Sequence, residues 1–87
     1  MKPAPSQRQE PLFNRTAQDT ALLRGLAGLH FCYGRYPDAE SLLDLALWLN
    51  PGDKSTHVMM ARVLVRQRRV VEARDHMGKA RNGQANV

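Results

Sequence analysis

Residues 20–51 read TALLRGLAGLHFCYGRYPDAESLLDLALWLNP, and the spacing inside this stretch decides the fold. Leu23, Leu26, Ala27 and His30 recur at the three- and four-residue steps that put side chains on one helix face, so a helix is predicted over about residues 20–33. Gly34 can take the left-handed conformation that closes a helix, and Pro37 brings the fixed φ that suits the first turn of the next one. A second helix is predicted over about 37–49, with Ala39, Leu43 and Ala46 on a face that permits close approach. It must stop before Asn50-Pro51-Gly52, because proline drives the preceding residue out of the helical region and glycine permits a reversal. Two helices joined by so short a connection form an antiparallel hairpin.

Working outward, the sequence repeats on itself at a shift of 34 residues without a gap. Leu26 then falls on Met60, Ala27 on Ala61, Phe31 on Val65, Tyr36 on Val70, Ala39 on Ala73, Leu43 on Met77 and Ala46 on Ala80. Small residues meet small ones and large meet large, which predicts a second hairpin with helices at about 54–67 and 71–83. The expected fold is all-α: four antiparallel helices in two hairpins, forming one helical-repeat domain over residues 19–87. Residues 1–18 hold Pro3, Pro5 and Pro11 among polar neighbours and are expected to be a flexible segment, from which Leu12 and Phe13 could fold back over the second helix.

With these residues in place, the first unit resembles a tetratricopeptide repeat. Leu23, Leu26, Ala27, His30, Gly34, Tyr36, Ala39, Leu43, Ala46 and Pro51 match that family's slots in order. In the second unit Met60, Ala61, Leu64, Ala73, Met77 and Ala80 match, whereas His57 stands at a large apolar slot, Arg68 at the turn glycine and Ala85 at the closing proline. The resemblance implies an inner surface lined by the first helix of each repeat. Arg24, Gly28 and Phe31, with Ala21 and Cys32, would line it in the first repeat, and Val58, Arg62, Val65 and Arg66 in the second. Such a groove is apolar with an arginine rim, and it suits a peptide that carries acidic residues, because arginine grips carboxylates through two hydrogen bonds at once.

The opening Leu22-Leu23-Arg24-Gly25 and the run from Leu42 to Pro51, LLDLALWLNP, resemble more narrowly the small tetratricopeptide chaperones of bacterial type III secretion. That resemblance implies a protein of the bacterial cytoplasm that masks a secreted or export-associated subunit, here a short helical client. The alternative is a self-associating repeat adaptor without a secretion role.

Both readings draw on surface left uncovered. The helix over 37–49 carries Leu42, Leu45, Leu47, Trp48 and Leu49 beside its inward residues, and a helix apolar nearly all round is normally buried. Repeats bury one face on the next repeat, so the last helix is expected to leave some of Ala73, Met77 and Ala80 uncovered unless a partner or second copy covers them. Leu42, Leu45, Trp48 and Met77 are therefore candidates for partner binding or oligomerisation.

Composition narrows the remaining classes. The 87 residues include one cysteine, Cys32, so no intrachain disulfide can form and a reducing compartment is expected. No apolar run reaches the roughly 20 residues of a membrane span, so no membrane insertion is expected. The net charge of +5 is uneven: residues 1–53 sum to −1 and residues 54–87 to +6. The Arg66-Gln67-Arg68-Arg69 run falls at a turn without interleaved aromatic residues for base stacking, which favours an acidic protein partner over nucleic acid. His30 and Cys32 stand two apart on a helix and diverge, and neither they nor His57 and His76 match a four-ligand spacing. With no glycine-rich phosphate loop and no nucleophile beside an activating base, the sequence assigns no catalytic residue, metal or cofactor, and the chain reads as a non-enzyme.

Overall fold

The computed structural model describes the backbone of residues 12–85 and the side-chain surroundings of residues 15–82. Among these the regular structure is helical throughout: α1 spans Leu12–Cys32, α2 Tyr36–Leu49, α3 Lys54–Arg66 and α4 Val70–Ala85. The two expected hairpins form, α1 on α2 and α3 on α4. The second hairpin joins the first through α3, which packs on α2 and more lightly on α1.

One boundary differs from expectation. Residues 12–18, expected to be flexible, are the first turns of α1. Between Pro11 and Gly25 the sequence has neither proline nor glycine, so nothing breaks the helix upstream of the periodic stretch. Thr20, buried, ties this added part to the predicted helix, its hydroxyl donating to the Thr16 carbonyl at 2.7 Å. The expectation that Leu12 and Phe13 cover α2 falls on side chains outside the described residues, as do residues 1–11.

The turns show the repeat at atomic level. Gly34 sits at φ 75°, the Gly34 N–H donates to the Phe31 carbonyl at 3.0 Å and the Arg35 N–H to the His30 carbonyl at 2.8 Å. These paired bonds satisfy carbonyls that a helix C-terminus would otherwise orphan. At the corresponding place Arg68 sits at φ 64°, with its N–H on the Val65 carbonyl and the Arg69 N–H on the Leu64 carbonyl, both at 2.9 Å. The turn is thus kept without its glycine, at a cost of about 1–2 kcal/mol for a Cβ in the left-handed region. Helix α2 starts with Pro37 in its first turn, and α3 with Asp53 as a side-chain cap accepting the Thr56 N–H at 3.1 Å.

The core follows from the small residues. Ala27, Ala39, Leu43, Met60, Ala61, Val63, Leu64 and Ala73 form one buried cluster, with Phe31, Tyr36, Leu42, Leu47 and Met59 packed against it. Alanines at the helix crossings bring the backbones close enough for Leu43, Met60 and Leu64 to fill the remaining space. The Cα envelope measures 56 × 35 × 15 Å, a slab so thin that many helix faces meet solvent.

Candidate protein-docking groove

On the second hairpin, α3 and α4 line a groove of about 780 Å³, to which α1 contributes Phe31. Its floor is Ala61 and Ala73, which pack the two helices together, and its walls are Val58, Val65, Val70 and Met77. Arg62, Arg66 and Arg74 stand around the rim. The Arg66 guanidinium carbon lies 5.3 Å from the Phe31 ring centroid, a cation–π arrangement that holds this arginine at the mouth. Among the described residues no carboxylate pairs with any of the three. The groove therefore offers an apolar bed with three guanidiniums available to an acidic ligand.

Of the groove residues expected from the sequence, Phe31, Val58, Arg62, Val65 and Arg66 are brought together here. Arg24 and Gly28 are not. Arg24 donates to Asp53 at 2.6 Å, which ties α1 to the N-terminus of α3. Gly28 faces α3, where a Cβ would meet the Met59 methyl at 3.8 Å. Both are consumed by the contact between the hairpins, because α3 lies over the part of α1 that carries them.

The expected apolar patch also divides. Leu45 and Trp48 are exposed, Trp48 to 77%, but Leu42 is half-buried against the core cluster, so its place on an exposed face is corrected. Met77 is exposed and lines the groove instead of joining Leu45 and Trp48. Ala73 and Ala80 are buried, since α4 turns its small residues toward α3. Sequence reasoning missed the contribution of Val70 and Arg74, and it missed an exposed stripe on α1 made of Leu22, Leu26, Leu29 and Tyr33. The spacing of that stripe was a visible signal, but α1 presents apolar residues on more than one face and the sequence alone does not say which face is covered.

Polar contacts fix the two hairpins behind the groove. Glu40 of α2 accepts from Arg69 at 2.7 Å and from Gln67 at 3.0 Å, while Arg69 also grips Glu72 through two bonds of 2.7 and 2.8 Å. The bonds to Arg69 hold the Glu72 carboxyl below its usual range, and the guanidinium is raised in turn. Burial pushes Asp44 up, helped by the neighbouring Glu40 charge. At Asp53 burial also pushes upward, but hydrogen bonds from the Thr56 hydroxyl and backbone together with the Arg24 charge outweigh it and leave the carboxyl below its ordinary value. His57 is buried, bonded to the Pro51 carbonyl at 2.8 Å and to His76 of α4 at 2.9 Å. Among the described residues no three His, Cys, Asp or Glu side chains converge as metal ligands, and no helix is long and apolar enough to cross a membrane.

Comparison of the chain with protein-family models, with curated proteins and with solved structures finds no match.

Proposed function

We propose that this protein is a protein-binding helical-repeat module which acts as a cytoplasmic chaperone in bacteria, shielding a secreted or export-associated subunit until its export. The observation that carries the binding role is the groove itself: apolar walls at Val58, Val65, Val70 and Met77, ringed by Arg62, Arg66 and Arg74. Grooves of this size with convergent polar groups are typical ligand sites, and an arginine rim selects carboxylates. The chaperone role rests on the likeness of Leu22–Gly25 and Leu42–Pro51 to the small tetratricopeptide chaperones of type III secretion.

The test is affinity capture of the tagged chain from a bacterium that carries its gene and a type III secretion system, run beside Val65→Glu. Val65 is exposed, so the substitution charges the groove without entering the core. Enrichment of a secreted subunit on the wild-type chain, lost in Val65→Glu, is expected. Unchanged secretion after deletion of the gene, with no groove-dependent partner, overturns the proposal.

A second reading has its own observation. Leu45 and Trp48 form an exposed apolar surface on α2 outside the groove, which favours a self-associating adaptor built on a symmetric dimer.

A further inference from the structure

The 34-residue repeat relates the groove to a seat that is already occupied within the same molecule. Groove residues Ala61, Val65, Val70, Ala73 and Met77 correspond to Ala27, Phe31, Tyr36, Ala39 and Leu43 of the first hairpin. That earlier set is the surface on which α3 lies: Ala27, Ala39 and Leu43 are buried in one cluster with Met60 and Val63, and Phe31 and Tyr36 pack against it. The two seats share a pattern of small floor and large walls. They differ in cover, since Leu43 is 0% exposed and Met77 48%.

They differ also in charge. Where the first seat has Gly28, Cys32 and Glu40, the second has Arg62, Arg66 and Arg74. In the first seat Glu40 receives Arg69, which closes α3, at 2.7 Å. At the second seat the corresponding position is Arg74, so a helix lying there in the same way must bring a carboxylate where α3 is followed by an arginine.

The chain itself contains a helix of matching apolar shape. The α1 stripe Leu22, Leu26, Leu29 and Tyr33 is the repeat counterpart of Thr56, Met60, Val63 and Gln67, part of the side that α3 turns toward the first hairpin. A second copy could therefore stack head to tail by shape alone. Charge opposes it: Arg35, the counterpart of Arg69, would face Arg74 while holding only an exposed pair to Asp38 at 3.5 Å, and the flanking Arg15 adds to a surface already rimmed by arginine. A like-charge contact of this kind is a known means of rejecting a wrong partner, and here it stands against an open-ended assembly.

We propose that the groove between α3 and α4 seats one amphipathic helix of an acidic partner protein, in the register that α3 takes on the first hairpin, with a carboxylate on Arg74 and others toward Arg62 and Arg66. This rests on the protein-binding reading above and specifies the kind of partner and its orientation.

The experiment uses two fluorescein-labelled synthetic peptides of residues 53–69, one unaltered and one carrying Arg69→Glu, titrated by anisotropy with the full chain. The Arg69→Glu peptide is expected to bind about tenfold more tightly, and the Arg74→Glu chain is expected to reverse that order. Met77→Asp is expected to lose both, with circular dichroism showing that the helices remain. Equal binding of the two peptides to wild type and Arg74→Glu overturns the register, and binding of neither overturns the helical occupant. Assembly of the unliganded chain that grows with concentration and disappears in Leu26→Asp assigns the seat to a second copy and overturns the partner. If neither peptide binds while Val65→Glu still abolishes capture of a partner in cells, only the helix-in-seat inference falls; if that capture fails as well, the protein-binding reading falls with it.

Discussion

Nδ1 of His57 lies 2.9 Å from Nδ1 of His76, a bond that joins α3 to α4 within the second hairpin. The Pro51 carbonyl can only accept, so Nε2 of His57 carries the hydrogen in that 2.8 Å contact. In a neutral ring this leaves Nδ1 of His57 as an acceptor, and His76 donates to it. Two protonated rings would turn N–H against N–H, so the hairpin admits at most one proton between them at this geometry.

Burial and the neighbouring His57 lower the pKa of His76 below its ordinary value. The unfolded chain then takes up the proton first as pH falls. Stability from this group is therefore complete above about pH 6.5, the ordinary histidine value, and is lost progressively as pH drops from there toward the lowered folded value. Thermal melts between pH 7.5 and 5 are expected to show this decline, and His76→Phe is expected to flatten it. A decline of the same size in the variant assigns it to other groups.

Arg68 holds a left-handed conformation at φ 64° that glycine occupies one repeat earlier. Arg68→Gly is expected to stabilise the fold by roughly 1 kcal/mol, because relief of Cβ strain outweighs the greater freedom glycine has when unfolded. Gly34→Ala is expected to destabilise by a similar amount. Denaturant melts of the two variants check the pair, and a shift of the same sign in both would show that turn strain is not what is being measured.

Asp53 caps α3 and pairs with Arg24 across the hairpin junction. Asp53→Ala is expected to cost about 1–2 kcal/mol, while Asp53→Asn, which keeps the cap and removes the charge, is expected to cost less. Because the carboxyl is held below its ordinary value, its contribution is present above about pH 4 and is lost as pH falls through the lowered folded value. Acid titration of the wild type and Asp53→Asn, followed by circular dichroism, separates the two roles.

Trp48 is 77% exposed and makes no part of the core cluster. Trp48→Glu is expected to leave monomer stability within about 0.5 kcal/mol. If the α2 surface mediates self-association, the same substitution converts a dimer to a monomer by light scattering. A dimer that survives the substitution removes this surface from the interface.

The helices and their pairing were legible because they depend on local signals. The Leu26/Ala27 and Met60/Ala61 pairs, the glycine at 34 and the Asn50-Pro51-Gly52 break each act within a turn or two of chain, and they place α2, α3, α4 and the end of α1 close to their observed bounds. The start of α1 was read too late because residues 12–18 lack the apolar spacing that marked the helix downstream. Nothing in them breaks a helix, so continuation needed no apolar signal of its own.

Which faces remained exposed was a different matter. The sequence named Phe31, Val58, Arg62, Val65 and Arg66 for the groove, but Arg24 and Gly28 belong to the same periodic set and differ only in lying beneath α3. The sequence by itself determined the helices, their turns and the arginine excess of the second hairpin, because periodicity, turn chemistry and charge are written residue by residue. The tertiary structure decided that Leu42 is covered while Trp48 is not, that Met77 faces the groove, and that His57 meets His76. Each of those outcomes depends on how one helix is rotated against another, and that rotation is set by the summed packing of several side chains rather than by any one of them.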